Sequence, residues 1–301
     1  MNQKNTMYGG LFSAAGVVYP MLVYFVVITI AMNICTAIAM KMGVDPKEQY
    51  MALQTIATAV TIPFVFYFYR KDRLEPTACQ QHLSEIFEGK STKEKLWDGI
   101  MMFLTGAVAG VTLNNLMAMT ALEELSKGYQ EVESQFFGGG VLFEVIGSCL
   151  LIPILEEMLY RSVLYGRICD IFIPYQVEDT EAKKKRNRNS RIMAIVFTAL
   201  IFGMMHMNIV QFIYATILGI MLSWFVEKSG HLYGAVIAHI GANLMSVLRM
   251  ETPILKWMES SKTCFIMSTV ICVVITILLL VIIGKYSKNG TKEVENNFQT
   301  I

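Results

Sequence analysis

Six polar side chains stand in stretches of this 301-residue chain that are otherwise apolar. Glu156, Glu157 and Arg161 fall in one stretch, His206 closes a second, and His239 and Asn243 share a third. A carboxylate beside an imidazole is a common means of taking a proton from water, and imidazole or carboxamide groups can donate to a developing oxyanion. The chemistry suited to such a set is hydrolysis of an amide by activated water. Ionisable groups at bilayer depth are costly to keep, so they mark either structural pairs or functional sites.

Helical spacing separates the six. At about 100° per residue, Glu157 and Arg161 lie within about 40° of each other and pair, whereas Glu156 lies about 140° from Arg161 and is left to face something else. Pro153, one turn earlier, removes a backbone hydrogen bond and is expected to kink the helix. His239 and Asn243, four apart, project from one face. Glu156 and His206 each sit ~21 Å from the polar end of their helix, Asn243 is shallower, and His239 shallower again. Plainer roles stand beside these: a structural ion pair for Glu157 and Arg161, packing for either histidine, and helix-to-helix hydrogen bonding for Asn243. His231 is expected at a helix mouth and His82 in a solvated loop.

The elements that must position these groups are membrane spans. Hydrophobic residues make up 54% of the chain and charged residues 16%, where a soluble domain carries about a quarter charged. Runs of about 20 apolar residues predict helices near 12–41, 50–69, 99–122, 141–170, 232–248 and 264–283. The charge-free run 192–226 is too long for one span and is divided by a turn near Met207-Asn208. The expected fold class is an all-α, polytopic membrane helix bundle of about eight transmembrane helices. It divides into helices 1–3 over 1–140 with a cytoplasmic loop at 70–97, a helical core over 141–250, and a last helix and tail over 251–301. Eighteen Lys and Arg fall on the side of both termini and six on the other, which predicts cytoplasmic termini in a plasma membrane, with a bacterial look to the short loops. The first apolar run is too long for a signal-peptide core and is expected to stay as a span.

A formal net charge of +1 excludes the basic excess of a nucleic-acid binder. The six cysteines form no CxxC pair and set up neither a metal knuckle nor a disulfide framework. HExxH, GxSxG and GxGD are all absent. No cofactor is required by the reading; a divalent metal such as zinc on His206, His239 and Glu156 is the alternative.

The three segments resemble the CAAX-protease and bacteriocin-processing (CPBP, or ABI) family of intramembrane peptidases, whose pattern is EExxxR, then FxxxH, then HxxxN or HxxxB. Here Glu156-Glu157 precede Arg161, Phe202 precedes His206, and His239 precedes Asn243, in order and spacing. The resemblance implies an intramembrane endopeptidase acting on a membrane-embedded or membrane-associated peptide or protein. Glu156 and His206 would activate water, His239 and Asn243 would stabilise the oxyanion, and Glu157 and Arg161 would support them. A non-catalytic immunity or scaffold protein and a proton-coupled transporter are the competing classes, although no inverted repeat favours the transporter.

Overall fold

The computed structural model describes residues 4–137, 139–172 and 180–298, with side chains over 15–137, 139–171 and 180–286. Every regular element among them is helical. In chain order these are α1 (Lys4–Lys41), α2 (Tyr50–Leu74), α3 (Ala78–Glu88), α4 (Thr92–Ala118), α5 (Lys127–Phe136), α6 (residues 141–172), α7 (Glu181–Met204), α8 (Ile209–Ser229), α9 (Tyr233–Glu251) and α10 (Lys262–Phe298). The turn Leu122–Leu125 and the 3-10 segment Pro253–Glu259 connect them on one end.

Each of the eight expected spans forms a helix at its expected place. Five of the described helices are long and apolar enough to cross a membrane: α1 over Ala15–Lys41, then α2, α4, α8 and α10 over Lys262–Tyr286. The pair α5–α6, bent by 104°, makes a sixth if counted as one. The difference from eight falls on α7, whose first turns are spent on the basic run through Arg191, and on α9, only 19 residues long and interrupted by polar groups. Another difference concerns the 70–97 connection, which is no simple loop. Thr77 and Gln80 form a reciprocal capping box that starts α3, and Ser91 and Glu94 form another that starts α4. Gly138, in the glycine run before α6, and residues 173–179, between α6 and α7, lie outside the described residues.

The charge-free run divides where expected. α7 ends at Met204, Met207 is the one described non-glycine residue with a positive φ (59°), and the Asn208 side chain caps α8 by accepting from the Gln211 amide at 2.8 Å. α8 ends at Gly230, which takes a left-handed φ of 71°. A Cβ there would also strike the Leu83 carbonyl and Phe87 amide of α3.

Polar contacts sort the helix ends onto two sides. On one, Arg167 of α6 pairs with Asp72 of α2 at 2.6 Å and with the Gly16 carbonyl of α1, Arg191 of α7 pairs with Glu227 of α8 at 2.8 Å, and Trp97 stacks on Tyr286 of α10. On the other, Arg249 of α9 joins Asn115 of α4 and Glu259. Gly16 of α1 and Tyr286 of α10 thus lie towards the same end of the bundle.

The most extensive helix pair is α4 with α9. A Cβ on Gly106 would overlap the backbone of Ala238, and one on Gly110 would press into Ala242. From the other side, Gly241 sits against the Phe103 carbonyl and the Ala107 amide. Small residues four apart on both helices let the backbones touch, as in membrane helix pairs generally. His239 stands beside this seam, so its place is fixed by glycine and alanine.

Candidate active site

Pro153 shapes the helix that carries the glutamates. α6 is helical throughout but not uniformly α: residues Glu144–Leu151 and Met158–Leu164 widen to π-type turns, and Ile152–Glu157 between them is α-helical. Such turns are rare and collect at functional sites. Glu156 and Glu157 thus end a short α segment bracketed by two wide turns.

Glu157 is fully buried. Its Oε2 lies 3.3 Å from Arg161 Nε, and both side chains have no exposed surface. The expected pairing forms, and it has a further member. His239 Nδ1 lies 2.8 Å from Glu157 Oε1. Because an ionised carboxylate can only accept, Nδ1 carries the proton and the ring is held in one orientation. Nε2 then faces Glu156 Oε2 at 3.9 Å, beyond hydrogen-bond reach. Glu156 retains 15% exposure where Glu157 has none, so Glu156 is the carboxylate that a water or substrate can reach.

Phe202 organises the far side. Arg161 lies over its ring face at 4.2 Å, and the ring packs edge-on to His206 at 5.0 Å and to His239 at 6.1 Å. A guanidinium on an aromatic face is favourable, the more so when desolvated. A Cβ on Gly219 of α8 would strike Arg161 Nη2, so that glycine makes room for the guanidinium. His206 Nδ1 is 2.9 Å from the Phe202 carbonyl, and Asn208 donates to the His206 carbonyl at 3.1 Å. His206 is thereby set in the α7–α8 turn. Among the described residues no hydrogen bond joins it to Glu156; it reaches the cluster through Phe202.

Asn243 reaches across to α6. Its Nδ2 donates to the Ser148 carbonyl of α6 at 2.7 Å, the helix-to-helix bond that is the plainer alternative. One of its two amide hydrogens remains. The metal set Glu156, His206 and His239 does not gather, since among the described residues no three such groups are placed to hold an ion.

The structure therefore brings Glu156, Glu157, Arg161 and His239 together directly, His206 through Phe202, and Asn243 through the backbone of α6. Sequence reasoning missed the Glu157–His239 bond, which crosses helices, and the central place of Phe202. It also missed the seam of α4, although Gly106 and Gly110 at four-residue spacing are a readable signal.

A cavity of about 400 Å³ opens at the end shared by Asp72 and Arg167, lined by Arg73, Gln80, Glu85, Arg161, Tyr165 and His231 among others. None of Glu156, His206, His239 and Asn243 lines it. His231 is half-buried there, stacked on Phe87 at 4.7 Å. Burial, helped by Arg73 and Lys95, pushes its imidazole below the ordinary histidine range. His231 sits at a helix mouth as expected, whereas His82 is no solvated loop residue. It rides on α3, and burial with the nearby Arg191 pushes it down to about 4.

Residues 138–245 match the family model described as type II CAAX prenyl endopeptidase Rce1-like. All three motifs fall inside that segment, and the resemblance they carry is shown for it. A curated relative from Bacillus subtilis (strain 168), named "Putative membrane peptidase YdiL", is 19% identical over 119 residues. That alignment covers 40% of this chain and 42% of the relative, so the chain spans less than half of that protein. No solved structure matches.

Proposed function

We propose that this membrane protein is an intramembrane endopeptidase of the CAAX-protease type, cutting a peptide bond in a membrane-embedded or membrane-associated peptide or protein. The observation that carries the reading is the accessible Glu156 facing a His239 whose other nitrogen is clamped by the buried Glu157–Arg161 pair. The family match over the same residues supports it.

In the proposed mechanism water enters the gap between Glu156 and His239, and Glu156 takes its proton. The hydroxide attacks the scissile carbonyl, and His239 Nε2, in the protonated ring, donates to the oxyanion. The remaining amide hydrogen of Asn243 assists. His206, across the Phe202 ring, helps position the water, and the proton held by Glu156 passes to the departing nitrogen. Glu157 and Arg161 touch no reacting atom; they orient His239 as a carboxylate orients a catalytic imidazole.

The test uses full-length protein in proteoliposomes with internally quenched peptides, farnesylated and unmodified, and products assigned by mass spectrometry. Wild-type protein is expected to cleave at a single bond. Glu156→Ala should fold normally and lose about 10²–10⁴-fold in turnover, the range for removing a general base. Wild-type turnover in folded Glu156→Ala would remove Glu156 from the chemistry. Which peptide is cut decides between a prenylated and an unmodified substrate.

We further place the end that holds Asp72, Arg167 and Arg191 in the cytoplasm, with both termini, on the Lys and Arg bias of 18 to 6. Single cysteines at 128–135 should label from outside and those at 181–190 from inside. Labelling of both from one side sinks the orientation.

A further inference from the structure

In a π-type turn the carbonyl of residue i accepts from the amide of i+5. For Ser148 that amide belongs to residue 153, a proline with no N–H to give. The neighbouring donor is also spent, because the Ile152 amide goes to the Gly147 carbonyl. The Ser148 carbonyl is thus left without a backbone donor in a fully buried residue, where an unsatisfied polar group is costly. Asn243 Nδ2 meets that carbonyl at 2.7 Å from the facing helix α9.

We infer that Asn243 is a positioning residue, the surrogate donor for the carbonyl that Pro153 orphans, and that it holds the wide turn from which Glu156 and Glu157 project. The two features need each other. Proline widens the turn and removes a hydrogen bond; asparagine supplies the bond from outside the helix. The Ser148 carbonyl also fixes which end of the carboxamide is nitrogen. His239, one turn earlier on α9, is bonded to Glu157. α9 therefore grips α6 at two points on either side of Pro153 and Glu156.

The inference deepens the hydrolytic reading, and its main readouts need no substrate. Full-length wild type, Pro153→Ala, Asn243→Ala and the double variant are purified in detergent, and their melting temperatures are compared. Asn243→Ala should lower Tm by about 3–8 °C in the wild-type background. The loss should be clearly smaller in the Pro153→Ala background, where the restored amide of residue 153 can reach the Ser148 carbonyl. Equal losses in both backgrounds overturn the inference. Hydrogen exchange supplies a second measurement if Pro153→Ala does not accumulate. Asn243→Ala should speed exchange over 148–158 by about tenfold and leave 209–229 unchanged, since the opening is local. Unchanged exchange over 148–158 overturns it equally. With the cleavable peptide from the proteoliposome assay, Asn243→Ala should lose kcat, and the double variant should recover part of it. No recovery at all would make Asn243 an oxyanion donor alone. If wild type cleaves nothing, the peptidase reading fails, and melting and exchange still decide the clamp.

Discussion

α1 and α4 each contribute a span of 27 residues, and they are opposites. The α1 span has a mean hydropathy of 2.3 with 6% of its most apolar window buried, whereas α4 has 1.5 with 61% buried. α10 repeats the pattern of α1, at 3.2 with 17% buried. Val18, Leu22, Val26, Ile30, Ile34 and Ile38 form a stripe along α1 at four-residue spacing, each more than half exposed. α4 instead turns Gly106, Gly110, Thr105, Thr112 and Asn115 to its neighbours. Thr112 meets Thr276 of α10 at 3.2 Å and Asn115 donates to Thr269 at 3.0 Å. Lipid rewards bulk apolar surface wherever it faces, whereas helix partners in a membrane reward close approach and hydrogen bonds. In this bundle the most apolar helices are therefore the outer ones, and the site is built on the less apolar ones.

The sharpest break of that contrast is a side chain on the inner seam. Gly106→Val should abolish folded protein, because its Cβ meets the Ala238 backbone rather than a flexible tip. Even Gly106→Ala should cost at least the ~1–3 kcal/mol typical of overpacking. Ile30→Ala on the outer face of α1 should leave stability within about 0.5 kcal/mol, as surface changes do. Yield and Tm in detergent check both, and a wild-type Tm for Gly106→Val would mean that the seam is not tight.

The adjacent glutamates carry the same inside-outside contrast down to one peptide bond. Glu157→Ala should lose folded protein, since it strands Arg161 and the Nδ1 hydrogen of His239; breaking a buried pair costs about 3–5 kcal/mol. Glu156→Ala should lose turnover and keep its fold. Equal Tm values for the two variants would erase the distinction between the supporting and the reacting carboxylate.

The smallest effect lies at the polar end. His82 titrates near 4 in the fold against 6.5 as an unperturbed group. Between those values the unfolded chain binds more protons, so this residue makes stability fall as pH falls through about 6.5 towards about 4. His82→Gln should flatten the decline of Tm between pH 7 and 5. An unaltered slope would show that α3 is not packed as described.

Much of the site was legible because its residues are expensive where they stand. Glu156, Glu157, Arg161, His206, His239 and Asn243 are conspicuous in apolar runs, and the four-residue spacing of Glu157 and Arg161 is enough to pair them. The same arithmetic cannot tell what lies across a helix boundary. Nothing local to Glu157 reveals His239, 82 residues away. Pro153 announces a lost hydrogen bond without naming the group that replaces it. α3 reads as loop in the sequence because its capping box lies in a polar stretch, where a search for apolar runs does not look.

The sequence by itself determined that the chain is an all-helical membrane bundle, where the uncharged run divides, and which few side chains are worth suspecting. Those properties follow from hydropathy, chain length and helical periodicity, which act along the chain. Tertiary structure alone decided that Glu157 clamps His239, that Glu156 is the accessible carboxylate, and that one hydrogen of Asn243 is committed to Ser148. Those outcomes depend on how closely α4, α6 and α9 approach, which glycine and alanine set by what they leave out.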